Sequence, residues 1–327
     1  MDRVIASYLP TSLYSLMSNQ FSQEDLNDLE EIRLRVGHPA QLIFTQRHSF
    51  VDGFTFQATD AETLLARISD FSIYRLEEEL KNGYITVRGG HRIGISGQVT
   101  VEGSKVQAIT HVSSFNIRLA SEHRGAARQL LPYLVDRHVH NTLLIGPPKS
   151  GKTTVLRDAI RLISDGTDQI NPSRVSLIDE RSEIAASFQG IPQHDVGQMT
   201  DVMSDCPKAD GMMMMVRSMS PEVLAVDEIG RHEDVDSLME AVYTGVQLLC
   251  SVHGFSLADI EKRPQLRPLI EQAVFDRYII LSHSPKPGSI SAVYNRNREP
   301  ITTALRGQAY EMDRSPSHSV NVHMGRT

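Results

Sequence analysis

The segment Gly146-Pro-Pro-Lys-Ser-Gly-Lys152-Thr153 constrains the fold more strongly than any other part of this sequence. It fits the pattern G-x-x-x-x-G-K-[ST], which is typical of phosphate-binding loops. An apolar stretch at 141–145 precedes it, and a helical pattern follows at 153–164. A strand, a glycine-rich loop and a helix in this order predict an α/β domain that binds a nucleotide on the loop.

The chemistry of such a loop assigns roles to its residues. Glycines let backbone N–H groups surround a phosphate, and the helix N-terminus adds positive potential. Lys152 is expected to contact the β- and γ-phosphates, and the Thr153 hydroxyl is expected to bind Mg²⁺. ATP and Mg²⁺ are therefore the predicted ligands. The predicted nucleotide-binding residues are Gly146, Pro147, Pro148, Lys149, Ser150, Gly151, Lys152, Thr153 and Thr154.

Two carboxylates, Asp227 and Glu228, follow the apolar stretch 223–226. Beside a phosphate-binding loop, Asp227 is expected to support Mg²⁺, and Glu228 is expected to polarise the attacking water. The alternative is an ordinary strand end with a solvated acidic pair.

A second acidic cluster, 179–183, follows the predicted strand 175–178 and contains Glu180. Parallel strands bring their carboxyl ends to one edge of the sheet, so this cluster is expected to face the same phosphate as Asp227 and Glu228. The alternative is a surface ion-pair network with Arg181. His253, at the end of the predicted strand 248–252, is a candidate sensor of the γ-phosphate, although a lone histidine at a strand end is more often structural.

The pattern along the chain predicts two domains and a tail. Residues 1–122 are predicted to form a smaller α+β domain with strands at 31–36, 84–87, 92–100, 106–109 and 115–119 and a helix at 60–82. Residues 123–313 alternate helices with short apolar strands, which predicts a mostly parallel sheet covered by helices on both faces. Its predicted helices are 126–137, 153–164, 210–217 and 234–243, and two further strands are predicted at 278–281 and 290–295. Residues 314–327 are predicted to be a mobile tail.

Composition disfavours several classes of protein. The 33 Lys and Arg against 40 Asp and Glu give a net charge of −7, whereas a protein held to nucleic acid mainly by charge normally has a basic excess. Two cysteines make no disulfide framework, and no apolar stretch approaches the ~18 residues of a membrane span. A cytoplasmic protein is therefore expected. His138 and His140 flank a strand start, and no Cys or His cluster predicts a metal site other than that for Mg²⁺.

Several segments together resemble the family of stage III sporulation protein AA, a branch of the ATPases of type II and type IV secretion. The resemblance covers nearly the whole chain and rests on LEEIRLRVGHP, RGGHRIGISGQ, SSFNIRLA, GPPKSGKTTVLRDAIR, IDERSEIA, VRSMSPEVLAVDEIG and GVQLLCSVHG. It implies a RecA-like ATPase domain, an acidic box at 179–183 and a histidine box at His253. Arg118 resembles an arginine that the N-terminal domain turns toward the nucleotide. The acidic box lacks the proline common in secretion enzymes, which leaves open whether Glu228 or Glu180 holds the water.

The resemblance further implies a hexameric ring in the mother cell of a spore-forming bacterium, associated through partner proteins with a channel into the forespore. The expected function is a Mg²⁺-dependent ATPase motor that energises this complex. One alternative is a nucleic-acid-stimulated RecA-like ATPase, which the acidic composition disfavours. The other is a scaffold with a vestigial site, which the intact Lys152, Thr153, Asp227 and Glu228 argue against.

Overall fold

The structure, a computed structural model, describes residues 3–69, 84–102, 105–120, 124–168 and 170–301. The described part contains two sheets, one built from residues before 119 and the other from residues after 141. The predicted domain boundary at 122–123 lies outside the described residues, as does the predicted tail, and both stay predictions.

The first sheet is antiparallel and has the strand order β3-β2-β1-β6-β5-β4. Its strands are β1 (Leu29–Arg35), β2 (Gln41–Phe44), β3 (His48–Phe50), β4 (Tyr84–Thr86), β5 (Arg92–Glu102) and β6 (Lys105–Arg118). The accompanying helices are α1 (Arg3–Tyr8), α2 (Thr11–Gln20), α3 (Gln23–Asn27) and α4 (Ala58–Ile68). One apolar cluster joins the helices to the sheet, because Ile32 and Leu34 alternate with charged residues along β1 and point into it.

The second sheet has the order β13-β12-β7-β11-β10-β8-β9, in which only the edge strand β13 is antiparallel to its neighbour. Its strands are β7 (Thr142–Gly146), β8 (Val175–Asp179), β9 (Thr200–Ser204), β10 (Val223–Val226), β11 (Gln247–His253), β12 (Arg277–Ser282) and β13 (Ser289–Asn295). The helices are α5 (Leu131–Leu134), α6 (Lys152–Asp165), α7 (Lys208–Met219), α8 (His232–Tyr243), α9 (Leu257–Glu261) and α10 (Arg267–Glu271).

Helices cover both faces of this second sheet, as predicted. One apolar cluster contains residues of α7 and α8, and the other contains residues of α6. Strands β7, β8 and β10 are buried along their whole length, which explains their unbroken apolar runs in the sequence.

Some predicted elements are wrong. The predicted helix at 126–137 is a 3₁₀ turn, Arg128–Leu130, followed by the one-turn helix α5. The chain leaves α5 at Val135, which pairs with Val139 across a tight turn. Pro132 suits the start of a helix and not its interior, so the apolar residues here pack as a short turn.

Strands and helices in other places also differ from the prediction, and those not predicted include β2, β3, α1, α2, α3, α9 and α10. The strands predicted at 106–109 and 115–119 form the single strand β6, which crosses the interruption through register shifts against β5 and a positive φ at His111. Strand β9 was not predicted, because at the sheet edge it is only half-buried and has no clear apolar pattern. The helix predicted at 60–82 begins at Ala58, and the part beyond 69 lies outside the described residues.

Within the described ranges, no helix has both the length and the apolar character needed to cross a lipid bilayer.

The methionines of α7 provide a matched test of packing. Met212 is fully buried against the sheet, whereas Met214 is 55% exposed. We expect Met212→Ala to lower the free energy of unfolding by ~2–5 kcal/mol, because it leaves a cavity. Met214→Ala makes the same chemical change on the outer face, and we expect an effect within ~0.5 kcal/mol. Urea unfolding followed by circular dichroism measures both, and equal effects would contradict the burial difference.

Candidate functional site

The phosphate-binding loop joins the end of β7 to the start of α6, so it lies at the carboxyl edge of the parallel sheet. Gly151 precedes α6 with a φ of 83°, and a Cβ on it would lie only 2.8 Å from the Gly288 backbone nitrogen. Glycine is therefore required by both conformation and space. The first backbone N–H groups of α6 have no acceptor within the helix, so they can bind an anion.

Lys152 is buried beneath this loop, with only 6% of its surface exposed. Its ammonium donates to the Pro147 carbonyl oxygen at 3.2 Å and lies 3.0 Å from Nδ1 of His253. Burial lowers the pKa of Lys152, and the carboxylates of Glu228 and Asp227 act in the opposite direction. The loop therefore holds a partly desolvated cation, whose attraction to a phosphate is stronger than it would be in water.

His253 connects Lys152 to Glu228. An ammonium can only donate, so Nδ1 of His253 accepts and Nε2 carries the hydrogen. Nε2 lies 2.6 Å from Oε1 of Glu228, and the other oxygen of Glu228 lies 3.2 Å from Arg181. A continuous chain of polar contacts thus runs from the ammonium of Lys152 through His253 to the carboxylate of Glu228.

Asp227 is buried beside this chain and is held by Ser251, whose hydroxyl donates to Oδ1 of Asp227. The same hydroxyl oxygen accepts from the backbone N–H of Glu228 at 3.0 Å. Burial raises the pKa of Asp227 to about 6, against the effect of the Ser251 hydrogen bond. Ser251 thus holds the Asp227 carboxylate and the backbone at Glu228. Sequence analysis missed it because a serine inside a buried strand has no distinctive signal.

The acidic box divides into structural and solvent-facing parts. Asp179 is buried, and its carboxylate accepts from the backbone N–H groups of Glu183, Ile184 and Ala185 at 2.8–3.0 Å. These bonds shape the loop that follows β8. Burial nevertheless raises the pKa of Asp179 above its ordinary value.

Glu180 lies in one small pocket with Asp227 and Glu228. It is paired with Lys208 at 2.6 Å and with Arg231 at 3.9 Å. Burial alone would raise the pKa of Glu180, but the hydrogen bond and charge of Lys208 bring it below its ordinary value. Glu180 is therefore an ionised partner of Lys208, while Glu228 is the carboxylate connected to the loop.

Residues from the first sheet reach the acidic box. The guanidinium of Arg92 donates to the carbonyl oxygens of Arg181 and Ser182 at 2.7 and 3.0 Å, and it lies 3.3 Å from Glu183. This contact joins residues about 90 positions apart, which no local pattern indicates.

Arg118 is exposed at the end of β6 and lies 3.5 Å from Glu31 in the same sheet. It also lines a cavity of about 350 Å³ together with Arg92, Arg157, Thr153 and Thr154. Arg118 thus has an ion-pair partner in its own domain and also faces the space beside the phosphate-binding loop (P-loop).

The donor set fits Mg²⁺, which prefers hard oxygen ligands. The Thr153 hydroxyl and the buried carboxylate of Asp227 are the residues that would hold it.

The sequence model of the family described as "Sporulation stage III, protein AA" matches residues 2–301. The chain belongs to this family. It is 48% identical over 293 residues to Stage III sporulation protein AA of Bacillus subtilis, and the match covers 90% of this chain and 95% of that protein.

Two solved structures share the fold of this chain. The Legionella pneumophila ATPase DotB has a TM-score of 0.56 at 15% identity, with 83% of this chain and 76% of that chain covered. The pilus retraction motor PilT with bound ADP also has a TM-score of 0.56, at 18% identity, with 81% and 77% covered. The predicted RecA-like fold with a mostly parallel sheet, preceded by a smaller domain, is confirmed.

The pKa of Asp227 predicts how stability depends on pH. A carboxyl whose pKa is about 6 in the folded state and near 3.8 in the unfolded state makes the folded protein bind more protons between these values. Its contribution to stability is thus present below pH ~4 and is lost as pH rises through ~6. Asp227→Asn removes this loss, so we expect the stability of the variant relative to wild type to rise between pH 4 and 7, by at most ~3 kcal/mol.

Urea unfolding at several pH values measures this difference. Asp201→Asn makes the same change at an exposed position of β9 and serves as the control. If the stability of Asp227→Asn relative to wild type does not change with pH, the raised pKa of Asp227 is contradicted.

Proposed function

We propose that this chain is a Mg²⁺-dependent ATPase motor subunit that energises a secretion or channel complex between mother cell and forespore during sporulation. The polar chain Lys152–His253–Glu228 beside Asp227 carries the ATPase part of this proposal. Family membership supports the sporulation part, and the fold of the secretion ATPases supports the motor part.

The proposed roles follow from the contacts. Lys152 and the N–H groups of the P-loop bind the β- and γ-phosphates of ATP, and Thr153 and Asp227 hold Mg²⁺, which supplies charge compensation for the phosphates. Glu228 orients the attacking water, because His253 connects it to Lys152, whereas Glu180 is paired with Lys208 outside this chain. His253 communicates the presence of the γ-phosphate from Lys152 to Glu228. A change at either end of this chain alters the hydrogen bonds at the other.

The proposal also includes a ring of six copies, a location in the mother-cell cytoplasm and attachment to a membrane through channel proteins. They rest on family membership and on the resemblance to secretion ATPases. Capture of partners from sporulating cells with Glu228→Gln tests them. Recovery of membrane-channel proteins supports the proposal. Recovery of nucleic acid, or hydrolysis stimulated by single-stranded DNA, favours a nucleic-acid ATPase instead.

Glu228→Gln separates binding from chemistry. It keeps the volume of the side chain but removes the carboxylate that orients water, so we expect ATP binding to remain and hydrolysis to slow by at least ~100-fold. Glu240→Gln, on the exposed face of α8, is the matched control and should hydrolyse ATP at the wild-type rate. Phosphate release and fluorescent-nucleotide binding measure the two quantities. If Glu228→Gln hydrolyses ATP and Glu180→Gln does not, the water-orienting role belongs to Glu180 in the acidic box.

Arg118 is proposed to stabilise charge that develops on the γ-phosphate, an effect worth ~10³–10⁵ in rate in related chemistry. Mixing distinguishes action across an interface from action within one chain. Lys152→Ala and Arg118→Ala should each be inactive alone. If Arg118 serves a neighbouring chain, about a quarter of the junctions in randomly mixed rings combine both intact residues, and partial activity returns.

If Arg118 serves its own chain, no subunit in the mixture has both residues and activity stays absent. Mixing each variant with wild type verifies that mixed rings form. Normal hydrolysis by Arg118→Ala alone would show that its pairing with Glu31 is purely structural.

A further inference from the structure

The short turn between α5 and β7 brings together Asp136, His138 and His140. Each offers one ligand atom, and these atoms lie within 4.8 Å of one another. His140 Nε2 lies 3.1 Å from Asp136 Oδ2, and His138 Nδ1 lies 3.6 Å from Asp136 Oδ1. In a tetrahedral site with metal–ligand bonds of 2.0–2.2 Å, neighbouring ligand atoms are separated by roughly 3.4 Å. The three side chains are thus close to the spacing that a zinc ion requires.

The fold explains why the site was not apparent in the sequence. In the pattern Asp-x-His-x-His, Asp136 lies at the end of the predicted helix 126–137, and His138 and His140 lie between that helix and the predicted strand 141–145. The pairing of Val135 with Val139 turns the chain back on itself, so that Asp136 and His138 face His140.

A second observation concerns the other nitrogen of His140. Nδ1 is buried and has no hydrogen-bond partner among the residues that the structure describes, although Asp276 Oδ2 lies 4.0 Å away. Histidines that bind zinc through one nitrogen usually donate the other N–H to a carboxylate, which fixes the tautomer. A metal on Nε2 of His140 would place the hydrogen on Nδ1, facing Asp276. Asp276 is itself oriented by the backbone N–H of Asn141, at 3.1 Å.

The contacts of Nε2 of His140 conflict with one another. Nε2 of His140 lies 3.1 Å from the Asp136 carboxylate, which requires a donor, and 3.2 Å from the Arg277 guanidinium, which requires an acceptor. One nitrogen cannot satisfy both. A metal ion bound between Nε2 and Asp136 resolves the contact with the carboxylate, since both ligands then direct lone pairs at the ion.

Charge and access are compatible with a divalent cation. Arg277 opposes the ion, but the carboxylates of Asp136 and Asp276 outnumber it, so the cluster is net negative when both histidines are neutral. His138 and Asp276 also line a surface cavity of about 340 Å³, which provides a route for entry.

We propose that Asp136, His138 and His140 form a zinc-binding site that joins the turn before β7 to the start of β12. Two imidazoles and one carboxylate suit Zn²⁺, with water in the fourth position. The site lies at the amino end of β7, and the five residues of that strand separate it from the P-loop by roughly 16 Å. Zinc stabilises the turn that precedes β7 and takes no part in nucleotide chemistry.

Calorimetric titration of the untagged, metal-stripped full chain with Zn²⁺, in excess Mg²⁺, tests the proposal. We expect one Zn²⁺ per chain and a higher melting temperature in its presence. His138→Ala and Asp136→Asn change exposed residues, so they should fold, lose this binding and lose the zinc-dependent rise in melting temperature. Asp276→Asn, which removes the negative charge facing Nδ1, should weaken binding by ~10–100-fold.

Two further variants serve as controls. His38→Ala removes an exposed histidine elsewhere, and Lys152→Ala disables the P-loop, so both should bind zinc as wild type does. Absence of stoichiometric binding to the wild-type chain would overturn the proposal. Undiminished binding by folded Asp136→Asn or His138→Ala would also overturn it, since the zinc would then lie elsewhere.

Discussion

The ammonium of Lys152, buried beneath the P-loop, is the interaction on which the rest of the site depends. Burial weakens its solvation, and the structure compensates with one carbonyl, one imidazole and the nearby carboxylates of Asp227 and Glu228. A phosphate can replace some of these interactions at little desolvation cost, because the cation has already been removed from water. The positions of His253 and Glu228 follow from this requirement.

The carboxylates around Lys152 are distinguished by their surroundings. Asp179 is used to shape a loop through three backbone hydrogen bonds, and Glu180 is neutralised by Lys208. Asp227 is buried and held by Ser251, which suits a metal ligand, whereas Glu228 faces the polar chain. Similar acidic residues therefore have different protonation behaviour and different proposed functions.

Contacts between the two sheets connect the N-terminal residues to this chemistry. Arg92 donates to the carbonyl oxygens of the acidic box, and the Gly89 backbone N–H donates to Gln193 at 2.8 Å. A shift of the first sheet would therefore change the loop that carries Glu180 and Arg181. Because Arg181 pairs with Glu228, such a shift reaches the carboxylate proposed to orient water.

The sequence by itself determined the P-loop motif, the mostly parallel character of the sheet and the strand ends that carry Asp179, Asp227 and His253. These features depend on local apolar runs and on a contiguous motif, both of which are readable along the chain. Only the tertiary structure decided that Ser251 holds Asp227, that Arg92 contacts the acidic box and that the segment at 126–137 is a turn. Such contacts depend on packing between residues far apart in sequence. The same holds for Asp276 facing His140, since 136 positions separate them and only the pairing of β7 with β12 brings them together.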